Sequence, residues 1–204
     1  MSDTREKLCA VVNDIRACRN CVDDFGFEPR PVFQLEVGPS QRVPPIAIFG
    51  QAPGNQVHLK GRPFDDPSGV RLRQWLGVDE AAFYDPRNFA ILPMAFCFPG
   101  YDAKGGDRPP PKICATLWRE KLLACLPEIK LKLLVGSYAQ RWHLGGEAQK
   151  TLTATVENWR AYGPDTIPLP HPSWRNNIWL KNHPWFEEDL LPVLRRRVRT
   201  ILSQ

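Results

Sequence analysis

The stretch that decides the fold is IAIFGQAPG, residues 46–54. Its first four residues form a continuous apolar run, which is typical of a strand buried on both faces. The turn that follows has a glycine on either side of Pro53, so the backbone leaves the strand sharply with its N–H groups exposed. At the carboxyl edge of a parallel sheet, such a turn is a place where ligands bind. An ordinary strand-to-loop corner is the alternative interpretation of these five turn residues.

Further apolar runs follow, and they alternate with segments in which apolar residues recur at helical spacing. The strand candidates are residues 46–49, 89–92, 131–135 and 167–169, and the helix candidates are residues 5–16, 70–76, 113–126, 138–144 and 184–201. This alternation predicts an α/β fold with helices on both faces of a parallel sheet. Right-handed crossovers should bring the turn at Gly50, the loop after Leu92 and the His171 segment to one edge. Residues 25–45 and 55–69 are expected to be irregular, the second as a long loop.

Length and charge limit the possible classes of protein. The chain has 204 residues, 43% of them hydrophobic, which suits one domain spanning residues 1–204. No run approaches the roughly 18 consecutive apolar residues of a membrane span, and the opening sequence MSDTREKL is too polar for a secretory signal. We therefore expect a cytoplasmic protein that does not contact membranes. A net charge of +5 is compatible with a polyanionic partner but identifies none.

The cysteines require an explanation, because a reducing cytosol disfavours structural disulfides. They are Cys9, Cys18, Cys21, Cys97, Cys114 and Cys125. Cys18 and Cys21 form a CxxC motif directly after the first predicted helix, whereas sixteen residues separate Cys97 from Cys114. This irregular spacing favours four thiolates around a cubane iron–sulfur cluster over a zinc ribbon, which has two close pairs. A zinc site and unligated buried cysteines remain alternatives to the cluster. Cys9 and Cys125 are assigned to the core.

The order of the motifs resembles the bacterial and archaeal iron–sulfur uracil-DNA glycosylases. The shared pattern covers residues 18–177 and consists of the CxxC motif, the GQAPG turn, GRPF at residues 61–64 with acidic residues after it, the second cysteine pair, and HPS at residues 171–173. The resemblance implies a three-layer α/β sandwich with a central four-stranded parallel sheet. It also implies excision of a damaged base from DNA and a structural [4Fe-4S] cluster held by Cys18, Cys21, Cys97 and Cys114.

Hydrolysis of an N-glycosidic bond requires particular chemical groups, and the sequence can be searched for residues that supply them. The sugar passes through an oxocarbenium-like state, so a carboxylate is needed to stabilise positive charge and to direct a water. The target base must leave the helix and stack in a pocket. The resemblance implies that Phe64 supplies the stacking face and that His171 donates a hydrogen bond to a base oxygen. A loop aromatic at the core edge and a structural histidine are the alternative roles.

The catalytic carboxylate is predicted to be Asp66. Some relatives carry an acidic residue in the turn after the first strand, but Gln51 and Ala52 stand there in this chain and neither can ionise. Residues 66–69, DPSG, resemble the DASG loop of the broad-specificity branch, in which the aspartate is the proposed water-directing group. This similarity favours Asp66 over Asp65. Capping of the helix that follows is the alternative role.

Base recognition departs from the family pattern at Pro93. Several relatives have an asparagine at this position, four residues before the third cluster cysteine. Asn55 or Asn176 could replace its amide, or backbone groups could recognise the base. Hypoxanthine and other deaminated bases therefore join uracil as predicted substrates. The turn residues expected to line the base pocket are Gln51, Ala52, Gly54 and Asn55, with Gln51 orienting water and base.

The residues after His171 supply a polar and aromatic segment suited to gripping DNA. Ser173, Arg175 and Asn176 are predicted to contact the substrate. Trp174 is a candidate wedge for the base stack, and packing of Trp174 on the sheet is the alternative. No lysine stands in a recognisable nucleophile motif, so we expect a monofunctional glycosylase without lyase activity. We expect it to be a monomer that acts on DNA containing deaminated bases. The other hypotheses are a non-catalytic binder of damaged or abasic DNA with the same fold, and a zinc protein unrelated to DNA.

Overall fold

The structure, a computed structural model, describes residues 2–38, 43–126 and 129–204. The strands are β1 (Ile46–Phe49), β2 (Phe89–Ile91), β3 (Leu131–Val135) and β4 (Thr166–Leu169). They form one all-parallel sheet in the order β2-β1-β3-β4. The predicted α/β fold with a central four-stranded parallel sheet is therefore confirmed. Residues 39–42, part of the stretch predicted to be irregular, lie outside the described residues.

Helices flank the sheet on both faces. Within the described residues they are α1 (Ser2–Ala17), α2 (Val22–Phe25), α3 (Asn55–Lys60), α4 (Pro67–Leu76), α5 (Glu80–Tyr84), α6 (Lys112–Cys125), α7 (Ser137–Leu144), α8 (Leu152–Glu157), α9 (Asn177–Asn182) and α10 (Leu191–Leu202). The helical segment predicted from residue 184 is divided, because a π-helical turn at Phe186–Leu190 precedes α10. Among all the residues that the structure describes, no helix has both the length and the apolar character that crossing a membrane requires.

The prediction of a continuous loop over residues 55–69 is wrong, because α3 occupies its first part. This helix has six residues and buries only Val57, so it has no repeating apolar face that a pattern search could detect. It ends at Gly61, whose φ of +76° is a left-handed conformation that glycine adopts without strain. The position of such a short helix is determined by the residues at its ends, not by a repeating apolar pattern.

The core lies in two layers, one on each face of the sheet. All four β1 side chains are fully buried. Ile46 and Ile48 pack in the layer that contains α4 and α10, whereas Ala47 and Phe49 pack in the layer that contains α1 and α6. This burial on both faces explains why β1 is a continuous apolar run and not an alternating one.

Arg119 is a fully buried cation on α6, only 1% exposed. Its guanidinium donates hydrogen bonds to the carbonyl oxygens of Leu92, at 3.2 Å, and Pro93. It also lies 5.6 Å from the ring centre of Phe49 and 5.7 Å from that of Trp142. Burial lowers the pKa of Arg119 to about 10, so the group stays charged near neutral pH. The side chain thus ties α6 to the backbone that leaves β2.

Replacing Arg119 should destabilise the fold. Arg119→Met removes the donor for two carbonyl groups, and we expect the free energy of unfolding to fall by about 2 kcal/mol or more. Urea denaturation would measure the change. Arg196→Met on the exposed side of α10 is the matched control, expected to change stability by less than about 0.5 kcal/mol. Equal stabilities of the two variants would contradict the structural role of Arg119.

Candidate active site

A large cleft lies at the carboxyl edge of the sheet, where the loops after the strands meet. Its volume is about 2180 Å³, including the part that opens to solvent. All of the predicted site residues other than cysteines line it, namely Gln51, Ala52, Gly54, Asn55, Phe64, Asp66, His171, Ser173, Arg175 and Asn176. The predicted convergence of the turn at Gly50, the loop after β2 and the His171 segment is thus found.

Backbone hydrogen bonds hold the turn after β1 against the loop after β2. The N–H of Leu92 donates to the carbonyl of Ile48 at 2.8 Å, and the N–H of Met94 donates to that of Gly50 at 2.8 Å. The N–H of Ala95 then donates to the carbonyl of Gln51 at 3.1 Å. The parallel pairing of β1 and β2 therefore continues past the strand ends, which fixes the turn as a rigid wall of the cleft.

Phe64 is held in an unusual backbone conformation at the edge of the cleft. Its φ is positive, at 55°, and among the described residues no other non-glycine residue has a positive φ. Gly69 in α4 makes room for it, since a Cβ there would lie 1.8 Å from the carbonyl oxygen of Phe64. The ring lies over the turn, with its Cζ 3.6 Å from the position of a Cβ on Gly50. Strain of this kind in a cleft is typical of functional residues.

The two candidate aspartates stand in different surroundings. Asp66 lines the cleft and also caps α4, because its Oδ1 accepts the N–H of Gly69 at 3.0 Å. Asp66 therefore caps α4 and lines the cleft at the same time. Asp65 does not line the cleft and lies 3.3 Å from Arg62 and 3.5 Å from Lys60. The hydrogen bond from Arg62 lowers the pKa of Asp65 below its ordinary value.

His171 follows β4 and is partly exposed in the cleft. Burial lowers the pKa of its imidazole below the ordinary value of 6.5, with Asp66 acting to raise it and Arg175 to lower it. The ring is therefore mainly neutral at pH 7. The side-chain amide of Asn176 donates to the carbonyl oxygen of His171 at 2.7 Å. Asn176 thus shapes the loop that carries the histidine.

A hairpin that the sequence reading does not single out forms another wall of the cleft. Tyr101 and Asp107 pair as an antiparallel bridge, and both line the cleft together with Asp102 and Arg108. The Oδ1 of Asp102 accepts the N–H groups of residues 104 and 106, at 2.8 and 2.9 Å, which closes the turn. The only signal in the sequence is the turn-forming composition of DAKGGD, residues 102–107.

The four predicted cluster ligands line a second cavity, away from the cleft. Its volume is about 410 Å³ including the part open to solvent, and its lining contains Cys18, Cys21, Cys97 and Cys114 among apolar side chains. Burial, reinforced by the neighbouring thiols, raises the pKa of Cys97 to about 12 and that of Cys114 to about 11. Within the described residues, no His, Cys, Asp or Glu side chains are grouped closely enough to hold a metal ion as they are placed. The donor set nevertheless fits a [4Fe-4S] cluster in the number and chemistry of its thiols.

The remaining cysteines lie elsewhere. Cys125 packs against the core layer that contains α1 and α6, in agreement with its assignment to the core. Cys9 is partly buried on α1.

A carboxylate, a mainly neutral imidazole and a partly buried aromatic ring line one cleft at the carboxyl edge of this α/β fold. The family model described as the uracil DNA glycosylase superfamily matches residues 38–195, which is most of the chain. The chain belongs to the uracil-DNA glycosylase superfamily. Membership supports a DNA-binding hydrolase of the DNA glycosylase class, acting in DNA repair. The match begins after Cys18 and Cys21, so it covers the cleft residues other than Val32 but only half of the predicted cluster ligands.

The close approach of Phe64 and Gly69 can be tested by adding one methyl group. Gly69→Ala places a Cβ where the Phe64 carbonyl stands, so we expect the free energy of unfolding to fall by about 2–3 kcal/mol. Gly146→Ala is the matched control, because its Cβ would meet nothing within 4 Å. Thermal unfolding of both variants would measure the difference. If Gly69→Ala were as stable as the control, the packing of Phe64 against α4 would be disproved.

Proposed function

We propose that this protein is a monofunctional DNA glycosylase that removes uracil, and also hypoxanthine and related deaminated bases, from DNA. It hydrolyses the N-glycosidic bond and leaves an abasic site. The observation that carries this proposal is the presence of Asp66 and His171 in one cleft beside the Phe64 ring. We further propose that it acts as a monomer in the cytoplasm.

The proposed reaction uses these residues in different ways. The extrahelical base stacks on Phe64, and His171 donates a hydrogen bond to a base oxygen as negative charge develops there. Asp66 uses its Oδ2, the oxygen not engaged with Gly69, to direct the attacking water and to stabilise the oxocarbenium-like sugar. Gln51 and the backbone N–H groups of the turn orient the water and the base.

The absence of a covalent intermediate is part of the proposal. A glycosylase that also cleaves the strand needs an amine nucleophile to form a Schiff base. Among the described residues that line the cleft there is no lysine, and the cations there are Arg108 and Arg175. A water, directed by Asp66, is therefore the proposed nucleophile.

The segment after His171 is the proposed grip on DNA. Trp174 is 71% exposed and Ile178 is 74% exposed, which is unusual for such large apolar side chains. The guanidinium of Arg175 lies 5.9 Å from the ring centre of Trp174. We propose that Trp174 enters the stack when the base leaves it, while Arg175 and Ser173 contact the phosphates.

We also propose that Cys18, Cys21, Cys97 and Cys114 hold a [4Fe-4S] cluster. The support is that these thiols, from three separate segments, line one apolar cavity. When bound, the cluster would supply a structural link between the end of α1, the loop after β2 and the start of α6. None of the residue roles proposed for the reaction depends on it.

A second candidate function is recognition of damaged or abasic DNA without catalysis. It is favoured by the use of one Asp66 oxygen as a helix cap and by the uncharged turn at Gln51 and Ala52. The two functions differ in whether free base appears when enzyme is in excess over DNA.

Asp66→Asn separates catalysis from capping, because asparagine is as good an N-cap as aspartate but carries no charge. We expect release of uracil from a synthetic duplex under single-turnover conditions to slow by at least about 100-fold. Affinity for the same duplex should change by less than about threefold, which is under 1 kcal/mol. Asp65→Asn is the control and should keep near-normal activity. Unchanged turnover in Asp66→Asn would remove Asp66 from the proposed role.

The iron content and the colour of the purified protein test the proposed cluster directly. The purified protein should be brown, absorb in the blue part of the visible spectrum and contain about four iron atoms and four sulfides per chain. Cys97→Ser should lose colour and iron, whereas Cys9→Ser should keep both. A colourless protein containing zinc would refute the cluster, and equal iron in Cys97→Ser and the parent protein would refute this ligand.

A further inference from the structure

Asp107 is presented to the cleft by a rigid hairpin. Its backbone pairs with Tyr101, and the N–H of Arg108 donates to the carbonyl of Gly100 at 2.9 Å. These contacts on both sides fix the position of Asp107. A side chain on such a scaffold can meet a ligand in one defined orientation, because little backbone freedom has to be lost on binding.

The carboxyl group of Asp107 lies against the turn that bears the base pocket. Its Oδ2 is 3.7 Å from the position that a Cβ on Gly54 would take. The residue as a whole is exposed, and it lines the cleft. In the described part of the chain, no hydrogen bond or ion pair engages this carboxyl. Both of its oxygens are therefore available to a ligand.

Two other polar side chains of the cleft are already partly engaged. The amide nitrogen of Asn176 is bonded to the carbonyl of His171, and one oxygen of Asp66 is bonded to the N–H of Gly69. Pro93, which also lines the cleft, has no side-chain polar group at all. Gln51, Asn55 and Gln56 also line the cleft without a side-chain hydrogen bond among the described residues, but Asp107 is held by a paired hairpin and lies against the turn of the base pocket.

Charged groups of both signs face Asp107. Asp66 faces it from the start of α4, Asp102 from the same hairpin and Arg175 from the loop after β4. The turn on the remaining side, residues 51–55, is uncharged. Partial burial raises the pKa of the Asp107 carboxyl above its ordinary value of 3.8, the two carboxylates act in the same direction, and Arg175 opposes them.

A protonated carboxyl presents one donor and one acceptor side by side, whereas a carboxylate presents acceptors only. Uracil and hypoxanthine each carry a ring N–H next to a carbonyl oxygen, which is a lactam edge. The O–H of the carboxyl can donate to the lactam oxygen while its carbonyl accepts the ring N–H. We propose that Asp107, in its protonated form, reads the lactam edge of the extrahelical base. This inference rests on the proposed function, because it requires a base in the cleft.

Two substitutions at Asp107 test the proposal. Asp107→Asn keeps a donor and an acceptor without a titratable proton, and Asp107→Ala removes both. We expect the Ala variant to release uracil and hypoxanthine about tenfold or more slowly, as for loss of a paired hydrogen bond. The Asn variant should stay within about threefold of the parent protein at low pH, a difference of less than 1 kcal/mol.

The pH profile distinguishes the protonated form from the anion. As pH rises through the pKa of Asp107, the parent protein should slow relative to Asp107→Asn, because only the parent loses its proton. Asp14→Asn, on the exposed side of α1, is the charge-matched control and should follow the parent at every pH. An Ala variant as fast as the parent, or an Asn variant as slow as the Ala variant, would overturn the proposal.

A binding assay separates this inference from the proposed catalytic activity. DNA that carries 2′-fluoro-2′-deoxyuridine resists cleavage, because the fluorine disfavours positive charge on the sugar. If the parent protein releases no base at all, the glycosylase proposal fails and affinity for this DNA decides the role of Asp107. About tenfold weaker binding by the Ala variant, with the Asn variant unchanged at low pH, would support base reading. Equal affinities of all three proteins would overturn it.

Discussion

The parallel pairing of β1 with the strands on both of its edges is the constraint on which the rest of the structure depends. A strand that is paired on both edges and covered on both faces has to be apolar throughout, as β1 is. Parallel pairing also makes the chain leave every strand at the same edge of the sheet. The place of the cleft therefore follows from the sheet, and the loops decide only which chemical groups it contains.

The framework and the edge at which the loops meet could be predicted from the sequence, because continuous apolar runs that alternate with helices have few physical explanations. The residues of the cleft are indicated mainly by the resemblance of their motifs to a known family. The order of the strands could not, since it depends on how the crossovers pack. Asp66 shows how one motif can carry two signals: DPSG indicates a helix cap as well as a cleft carboxylate, and the two positions coincide. Asp107 has no such signal, because the pairing that orients it depends on backbone hydrogen bonds within a loop of turn-forming residues. The same limit applies to α3, which buries one residue and has no period.

Helix α6 connects the cysteine cavity to the wall of the cleft. Cys114 lies in the first turn of α6, and Arg119 lies further along it with its guanidinium bonded to the carbonyls of Leu92 and Pro93. Pro93 in turn lines the cleft. A displacement of α6 at its cysteine end would therefore reach the wall of the cleft through a buried cation, which has little freedom to adjust in a close-packed core. The cluster proposed at the four cysteines would therefore affect the shape of the cleft without taking part in the reaction.

The backbone of Phe64 carries a last consequence. A positive φ at a bulky residue costs about 1–3 kcal/mol, and the packing of Gly69 and Gly50 around Phe64 holds it there. That cost is met while the chain folds, so the ring stands in place before any nucleic acid arrives. A protein that examines a long polymer meets far more unsuitable nucleotides than suitable ones, and the time of each encounter limits how much of the polymer it can survey. In the stacking role proposed for Phe64, a ring already in place would shorten every encounter, because the ring itself would not have to move before a nucleotide is accepted or rejected.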